Sequence, residues 1–351
     1  MWLEPFAVSL SSPLGTAAGK ITSRRGFLVG LSVDGQRGLG EATPLAGWTE
    51  SAEACRRTLE SIAGESKHDG LPEPTERPAA AHAVDLAIQD GRARREGQPL
   101  TAWLRQQAGS GGSPPDSVPL NATIGDGDVE ATVSASTAAV EAGYEWLKLK
   151  VGARSVAEDI RRVRAVDRAV GDNARIRLDA NAVWSRPQAT RVLEALADCT
   201  IEYLEQPRAA DDLDGLAALR GHGIDIAVDE SLAAHSLAEI LDRRAADVAI
   251  LKPMALGGPT RTVDIAIHAR DANIEPVVTT TVDAVVARTA AAHIAAAIPD
   301  VTACGLATGS LLETDLAADP VDIVDGYAQI PSGDGLCGDG FDGLWAVDES
   351  E

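Results

Sequence analysis

One pattern of hydrophobic and polar positions repeats through the later two-thirds of the chain. From about residue 116 onward, short apolar runs alternate with longer segments rich in Ala, Arg and Glu. This alternation predicts β-strands joined by amphipathic helices, which is typical of a parallel sheet. Eight strand candidates favour a closed (β/α)8-type barrel over an open sheet. The candidates are 120–124, 146–150, 175–179, 201–205, 226–229, 248–252, 276–280 and a weaker one at 302–306.

The N-terminal part has a different pattern, which predicts an α+β unit. Apolar runs on either side of Gly30 and a turn at 34–35 indicate strands in a meander. Segments 52–62 and 79–95 have the 3.6-residue periodicity of helices. Strands and helices therefore alternate less regularly here than in the rest of the chain.

A segment rich in Gly, Ser and Pro at 109–115 separates the two patterns, and this composition is typical of a linker. We therefore expect an α+β domain at 1–115 and a barrel with the active site at 116–320. We expect the tail, 321–351, to pack back on the first domain. The fold class that follows is α/β.

The net charge of the chain argues against some classes of binding partner. Lys plus Arg number 31 against 53 Asp plus Glu, so the formal net charge is -22. Such a surface repels phosphate backbones and anionic lipids. No apolar stretch approaches the roughly 20 residues that span a bilayer. We expect a cytoplasmic protein that binds neither nucleic acid nor a membrane.

Lysine is scarce among the basic residues, with five lysines and 26 arginines. An acidic, Lys-poor composition is typical of halophilic proteins, although a GC-rich genome would also favour arginine. Where lysine is scarce, each one becomes a stronger candidate for chemistry. The four Cys and six His have no spacing that indicates a zinc site.

Five predicted strands end on an ionisable side chain. These are Lys150, Asp179, Glu205, Asp229 and Lys252, at intervals of 29, 26, 24 and 23 residues. Each interval is the length of one βα unit, and the carboxyl ends of barrel strands meet at one mouth, where active sites lie. A single carboxylate of this kind would more often be a helix N-cap or part of a barrel salt bridge. Five at successive strand ends favour a shared site.

The residue types in this set suggest one kind of chemistry. Asp179, Glu205 and Asp229 offer only oxygen ligands, which suits Mg²⁺. Lys148 and Lys150 are two residues apart on a strand, so both point into the barrel. A cation on a substrate carboxylate, with a lysine as base, would support removal of the α-proton through an enediolate. Alternatively, the lysines merely neutralise the carboxylates.

Short motifs accompany these strand ends and also occur in the N-terminal domain. They are LKLKVG at 147–152, DAN at 179–181, EQP at 205–207, DES at 229–231, LKP at 251–253, GEATPL at 40–45 and AVDLAIQD at 83–90. Together they resemble the enolase superfamily, muconate-lactonizing subgroup. The resemblance implies an N-terminal α+β capping domain, followed by a modified, TIM-like (β/α)8-type barrel. It also implies an enzyme that takes a small carboxylate substrate, and it is compatible with a homo-oligomer.

The same resemblance implies a role for each candidate residue. Lys150 and Lys252 would be the catalytic groups, on opposite faces of the substrate. The ligands of Mg²⁺, or of Mn²⁺ in its place, would be Asp179, Glu205 and Asp229. The supporting and substrate-binding residues would be Lys148, Asn181, Glu230, Trp48 and Thr16.

Within the family, the chain is most similar to o-succinylbenzoate synthases, which are lyases of menaquinone biosynthesis. The implied reaction is loss of water from 2-succinyl-6-hydroxy-2,4-cyclohexadiene-1-carboxylate, giving 2-succinylbenzoate. Dipeptide epimerases of the subgroup typically carry Asp-x-Asp near the eighth strand, and the matching stretch, 304–309, contains no acid. An N-succinylamino acid racemase or a muconate-type cycloisomerase is the alternative. A non-catalytic, metal-binding barrel is a more remote one.

Overall fold

The computed structural model of the protein describes residues 1–16, 19–64 and 72–345. Its first unit contains an antiparallel sheet with the strand order β1-β2-β3. The strands are β1 (Trp2–Thr16), β2 (Gly19–Val33) and β3 (Gln36–Ala42). The two apolar runs beside Gly30 lie in one long strand, because β2 pairs with β1 over most of its length.

Three helices complete this unit: α1 (Ala52–Gly64), α2 (Pro78–Arg95) and α3 (Leu100–Gln107). Helix α2 is buried over most of its surface and lies directly on β3. A Cβ atom on Gly38 or Gly40 would stand 1.9 Å from a carbonyl oxygen of α2. Glycine at these two positions therefore lets the strand and helix backbones touch.

The second unit is the barrel. Strand β4 (Ser117–Pro119) precedes it. Its parallel strands, neighbours in chain order, are β5 (Asn121–Ile124), β6 (Trp146–Lys150), β7 (Arg175–Asp179), β8 (Ile201–Glu205), β9 (Asp225–Val228), β10 (Val248–Leu251) and β11 (Glu275–Val278). Its helices are α4 (Val129–Glu141), α5 (Val156–Val170), α6 (Arg186–Ala195), α7 (Leu213–Ala217), α8 (Glu230–Ala234), α9 (Leu237–Arg243), α10 (Pro253–Leu256), α11 (Pro259–Asp271) and α12 (Val285–Ala297). The α/β class and the TIM-like barrel are thus confirmed.

The eighth position of the barrel has no regular strand, so the expectation of one at 302–306 was wrong. Instead, Cys304 forms an isolated bridge to Leu120 and Gly305 forms one to Thr279. The chain forms one bridge at the end of each neighbouring strand, which closes the ring but is too little pairing for a regular strand. A weak apolar run was the only sequence signal for this segment.

Two strands end one residue earlier than expected. Asp229 and Lys252 follow β9 and β10 and occupy the N-cap positions of α8 and α10. Both side chains nevertheless stay at the carboxyl end of the barrel. Below them, the barrel interior is filled by a cluster of Tyr203, Ala227, Val248, Ile250 and Val277.

The C-terminal tail contacts both units. Its strands β12 (Ile323–Val324) and β13 (Tyr327–Gln329) form a small antiparallel sheet with β4. Further along, Leu100 of α3 donates its backbone N–H to Gly335, and Trp345 stacks on Trp2 of β1 with ring centroids 5.9 Å apart. The tail beyond residue 345 lies outside the described residues.

A buried carboxylate joins the N-terminal unit to the barrel. Glu41 of β3 is fully buried and accepts backbone N–H groups from Ala284 (2.8 Å) and Ala287 (2.9 Å) at the start of α12. It also accepts the hydroxyl of Thr43. The carboxylate thereby satisfies donors that a helix start leaves without intrahelical partners.

Arg24 of β2 makes a second link across the same boundary. Its guanidinium donates to the carbonyl oxygens of Thr43 (2.7 Å), Pro44 (3.1 Å) and Val282 (3.0 Å). We call the contacts of Arg24 and Glu41 the seam. The seam ties the loop that follows β3 to the barrel. Separately, no helix in the described ranges is long and apolar enough to cross a membrane.

Candidate active site

The five predicted strand-end residues lie together at the carboxyl end of the barrel, which we call the mouth. Cα pairing places Lys150, Asp179 and Glu205 side by side on β6, β7 and β8. Asp229 and Lys252 follow on the next two strands. All three carboxylates are buried, with at most 3% of their surface exposed.

The two lysines of β6 neutralise part of this acidic cluster. Lys148 Nζ lies 2.9 Å from Asp179 Oδ2 and 2.6 Å from Glu205 Oε1, so it bridges two carboxylates. Lys150 Nζ lies 2.6 Å from the same oxygen of Asp179. Lys148 is the more buried of the two, whereas the side chain of Lys150 is 36% exposed. Lys150 therefore carries the more accessible ammonium group of the pair.

Lys252 approaches from the other side of the mouth and touches the N-terminal unit. Its Nζ lies 2.6 Å from Asp229 Oδ2 and 3.3 Å from the centroid of the Trp48 ring. Trp48 belongs to the loop that the seam anchors. A cation so close to an aromatic face is stabilised by the ring quadrupole, so the loop that follows β3 completes the surroundings of Lys252.

The predicted supporting residues are also at the mouth, with one exception. Asn181 Oδ1 accepts from Lys150 Nζ at 3.0 Å, and Asn181 Nδ2 donates to Glu230 Oε1 at 3.4 Å. The side chain of Thr16 lies outside the described residues. Asn181 has φ +43°, a backbone conformation that asparagine tolerates better than most residues.

Three carboxylate oxygens at the mouth lack a hydrogen-bond partner among the described residues. They are Glu205 Oε2, Asp229 Oδ1 and Glu230 Oε2. Buried polar atoms are nearly always paired, so three unpaired carboxyl oxygens in one place form a donor set that a cation would complete. An oxygen-only donor set on adjacent strand ends fits Mg²⁺. As placed, no three acidic, His or Cys side chains of the described chain have metal-site spacing; lysine ammonium groups lie against Asp179, Glu205 and Asp229.

The protonation equilibria at the mouth reflect this crowding. Burial raises the pKa of Glu205 to about 8, and the neighbouring charge of Asp179 adds to the shift. Burial alone would raise the pKa of Asp179, but Lys148 and Lys150 outweigh it and hold that pKa well below its usual range. Burial is also the main cause that raises the pKa of Glu230 to about 7. Burial thus makes Glu205 and Glu230 hold their protons to higher pH than free carboxyl groups do, so a positive partner is needed to keep both ionised near neutral pH.

One residue that orders the backbone at the mouth, Gln206, was not predicted from the sequence. Gln206, in the EQP motif, accepts the backbone N–H groups of Asp229 (2.8 Å) and Ser231 (3.1 Å). It also donates to Ser231 Oγ at 2.7 Å. Gln206 therefore fixes the backbone that carries Asp229. Its only signal was its position directly after a strand-end carboxylate.

The eighth position contributes hydroxyl groups to the barrel end. Thr308 Oγ1 lies 2.9 Å from Thr280 Oγ1, which follows β11. Residues 304–309 contain no Asp or Glu. The nearby acids Asp315 and Asp319 both pair with Arg288. Residues 304–309 themselves therefore offer no carboxylate to hold a substrate ammonium group.

A capped β/α barrel that brings Asp179, Glu205 and Asp229 together with three lysines at its mouth has the groups that acid/base chemistry needs. Residues 131–339 match the family described as enolase C-terminal domain-like. The chain belongs to the enolase superfamily, whose members are lyases, isomerases or racemases, and this confirms the resemblance inferred from the motifs.

Individual relatives span several activities. A chloromuconate cycloisomerase of Pseudomonas putida is 27% identical over 349 residues, covering 94% of this chain and 92% of the relative. An o-succinylbenzoate synthase of Thermobifida fusca is 37% identical over 211 residues, covering 59% and 64%. The solved dipeptide epimerase of Enterococcus faecalis, complexed with Mg and L-Leu-L-Tyr, has a TM-score of 0.82 and 27% identity and covers 95% of this chain and 97% of its own.

Proposed function

We propose that the protein is a Mg²⁺-dependent o-succinylbenzoate synthase. It would remove water from 2-succinyl-6-hydroxy-2,4-cyclohexadiene-1-carboxylate to form 2-succinylbenzoate, a step of menaquinone biosynthesis. The observation that carries the proposal is the mouth itself, where Lys150 and Lys252 approach from opposite sides of an oxygen-only acidic cluster. The 37% identity to the Thermobifida fusca synthase favours this member of the superfamily.

Asp179, Glu205 and Asp229 would hold the metal ion, with Mn²⁺ as a substitute. When bound, the ion supplies positive charge to the substrate carboxylate and thereby stabilises the enediolate. Support comes from the unpaired oxygens Glu205 Oε2 and Asp229 Oδ1. The solved dipeptide epimerase, which contains Mg, supports the same assignment by analogy.

Lys150 would remove the ring proton next to the substrate carboxylate and then protonate the departing hydroxyl. Its Nζ is the more exposed ammonium of the β6 pair, and Asn181 orients it. Lys252 would stabilise the enediolate electrostatically from the opposite face. Trp48, in contact with Lys252 Nζ, would hold this charge in place and line the site with an apolar ring.

The lack of an acid in residues 304–309 argues against dipeptide substrates. A dipeptide brings an ammonium group, which is costly to bury unless an anion accompanies it. The cyclohexadiene substrate carries carboxylates and no ammonium. Hydroxyls such as Thr280 and Thr308 are compatible with a neutral or anionic group in that part of the site.

N-succinylamino acid racemisation is the second candidate, favoured by the presence of two lysines. A racemase needs one base on each face of the α-carbon, and Lys150 and Lys252 would be those two bases. The first step, removal of the α-proton, is shared with dehydration. One enzyme can therefore have both activities, and only rates distinguish them.

Two parallel assays, both with Mg²⁺, test the proposal. Each is run with and without molar KCl, because the acidic composition also leads us to propose a halophilic protein. One follows the ultraviolet absorbance of the cyclohexadiene substrate, and the other follows deuterium exchange into N-succinylamino acids. Fast dehydration with slow exchange supports the synthase. Exchange without dehydration supports racemisation instead of dehydration. Activity in neither assay overturns both candidate functions.

A further inference from the structure

A buried ion pair lies directly behind the strand end that carries Lys150. Asp159 and Arg162 of α5 are both about 1% exposed, and Arg162 Nη1 donates to Asp159 Oδ1 at 2.8 Å. Both residues lie on the helix face that also buries Val163 and Val166. A fully buried charge pair on an apolar face is costly to desolvate. The hydrogen bonds that offset this cost therefore show which parts of the chain the pair holds in place.

The other N–H groups of Arg162 donate hydrogen bonds to chain segments around the mouth. Nη1 also donates to the carbonyl oxygen of Lys150 (3.2 Å), and Nη2 donates to that of Gly125 (2.9 Å). Nε donates to Thr132 Oγ1 at 3.1 Å. One guanidinium thus connects the ends of β5 and β6 to α4.

Asp159 fixes the other side of the same turn. Its Oδ2 accepts the backbone N–H of Gly152 at 2.8 Å, two residues beyond Lys150. The pair therefore holds the main chain at both Lys150 and Gly152. Arginine suits this task because its rigid, planar fork can serve several acceptors at fixed angles, whereas a lysine ammonium cannot reach them all.

We infer that Arg162, supported by Asp159, is a positioning residue for Lys150. By fixing the Lys150 carbonyl, it directs the side chain so that Nζ lies between Asp179 Oδ2 (2.6 Å) and Asn181 Oδ1 (3.0 Å). This inference rests on the proposed function in so far as Lys150 is the base. Small errors in the placement of a reacting group are expensive in rate, up to roughly a hundredfold for 1 Å.

The test compares Arg162→Lys with the matched control Arg164→Lys on the same helix. Arg162→Lys keeps a positive charge beside Asp159 but cannot satisfy the other acceptors. Arg164 pairs with the exposed Asp198, away from the mouth. We expect Arg162→Lys to lower kcat by roughly 10- to 100-fold with a smaller change in KM, and Arg164→Lys to leave both unchanged.

A Lys150→Ala background separates positioning from general support of the fold. If Arg162 acts through Lys150, then Arg162→Lys in that background should change the residual rate by less than about twofold, because the two effects are not additive. An equal loss of rate in both backgrounds would show that Arg162 only supports the fold and would overturn the inference.

A chemical readout keeps the test independent of the substrate. The five lysines of the chain can be acylated with an amine-directed reagent, and the labelled peptides can be quantified by mass spectrometry. Loosening the hydrogen bonds of Lys150 should raise its labelling relative to Lys252 by about threefold or more in Arg162→Lys. An unchanged ratio contradicts the inference, even if the wild-type protein has neither proposed activity. Silence in both activity assays with a changed ratio overturns the proposed function alone.

Discussion

Buried charge has different surroundings in two regions of the molecule, the seam and the mouth. At the seam, Glu41 accepts two backbone N–H groups and a hydroxyl, and Arg24 donates to three carbonyl oxygens. At the mouth, Glu205 and Asp229 each have one paired oxygen and one without a partner in the described chain. The hydrogen bonds of the seam are complete within the described chain, whereas the mouth has unpaired carboxyl oxygens that a ligand could bind.

This difference separates structural from functional charges. A buried ion whose hydrogen bonds are all satisfied by the backbone fixes one geometry and adds to specificity of folding. A buried ion left partly unsatisfied is costly to the fold and is therefore expected where a ligand binds. Substitutions at the mouth should thus change turnover, and those at the seam should change stability. Arg162 is the intermediate case, because it is satisfied yet bonded to the backbone of Lys150.

The largest effect is expected for Glu205→Gln. The substitution removes one proposed metal ligand but leaves Asp179 to pair with Lys148, so the fold should persist. A metal ion contributes several kcal/mol of charge stabilisation, so turnover should fall by roughly a thousandfold or more. Mn²⁺ titration followed by electron paramagnetic resonance measures the loss of binding.

Asp198→Asn, at an exposed ion pair with Arg164, is the control for Glu205→Gln. It should bind Mn²⁺ and turn over substrate like the wild type. If Glu205→Gln retained both metal binding and rate, then the mouth would not be a metal site. Its unpaired oxygens would then need another explanation, and the comparison with the seam would lose its main support.

Lys150→Ala should have the next largest effect. General base catalysis usually contributes at least roughly a hundredfold, so dehydration and exchange should both fall by that amount or more. Asp179 keeps Lys148 as its partner, and the melting temperature should change little. Arg168→Ala, on the surface of α5, is the control. A loss under tenfold would mean that Lys150 is not the base.

The sequence predicted which strand-end residues lie together because the signals for them are local. Each barrel strand is a short apolar run, and each strand-end residue follows that run directly, as Asp179 and Glu205 do. Barrel topology then places successive strand ends together without any further information. The strands at 146–150, 175–179 and 201–205 agree with the structure to the residue.

Contacts that join distant parts of the chain could not be predicted in this way. Glu41 and Ala284 are 243 residues apart, and no local pattern indicates that they meet. The contact between Trp48 and Lys252 likewise depends on how the two units pack. Arg162 did have a local signal, since it shares a helix face with Val163 and Val166, but several arginines on α5 obscured it.

A smaller effect is expected where the two regions meet, at Trp48. Trp48→Leu keeps an apolar side chain but removes the aromatic face that contacts Lys252 Nζ. Loss of a cation–π contact worth about 0.5–2 kcal/mol corresponds to a roughly 2- to 30-fold loss of kcat/KM. Trp48→Phe should recover most of that loss. Equal rates for the Leu and Phe variants would show that Trp48 contributes only its apolar volume and not its aromatic face.

The smallest effect on turnover, and the clearest on stability, is expected for Glu41→Gln. Burial raises the pKa of Glu41 to about 7 in the folded protein, with Asp283 adding to the shift, whereas an unfolded Glu titrates near 4.5. The folded state therefore binds more protons between these values, so the stability linked to Glu41 is complete below pH 4.5 and is lost as pH rises through 7.

Because the glutamine does not titrate, the free energy of unfolding of wild type minus that of Glu41→Gln should fall as pH rises. The fall should approach about 3 kcal/mol between pH 4.5 and 7.5, measured by denaturant unfolding at closely spaced pH values. Groups shared by both proteins cancel in this difference. Turnover should change by less than about fivefold, since the loss of one hydrogen bond at Glu41 is worth about 1 kcal/mol or less. Parallel stability curves, or a loss of rate as large as that of Trp48→Leu, would show that the seam is part of the catalytic machinery.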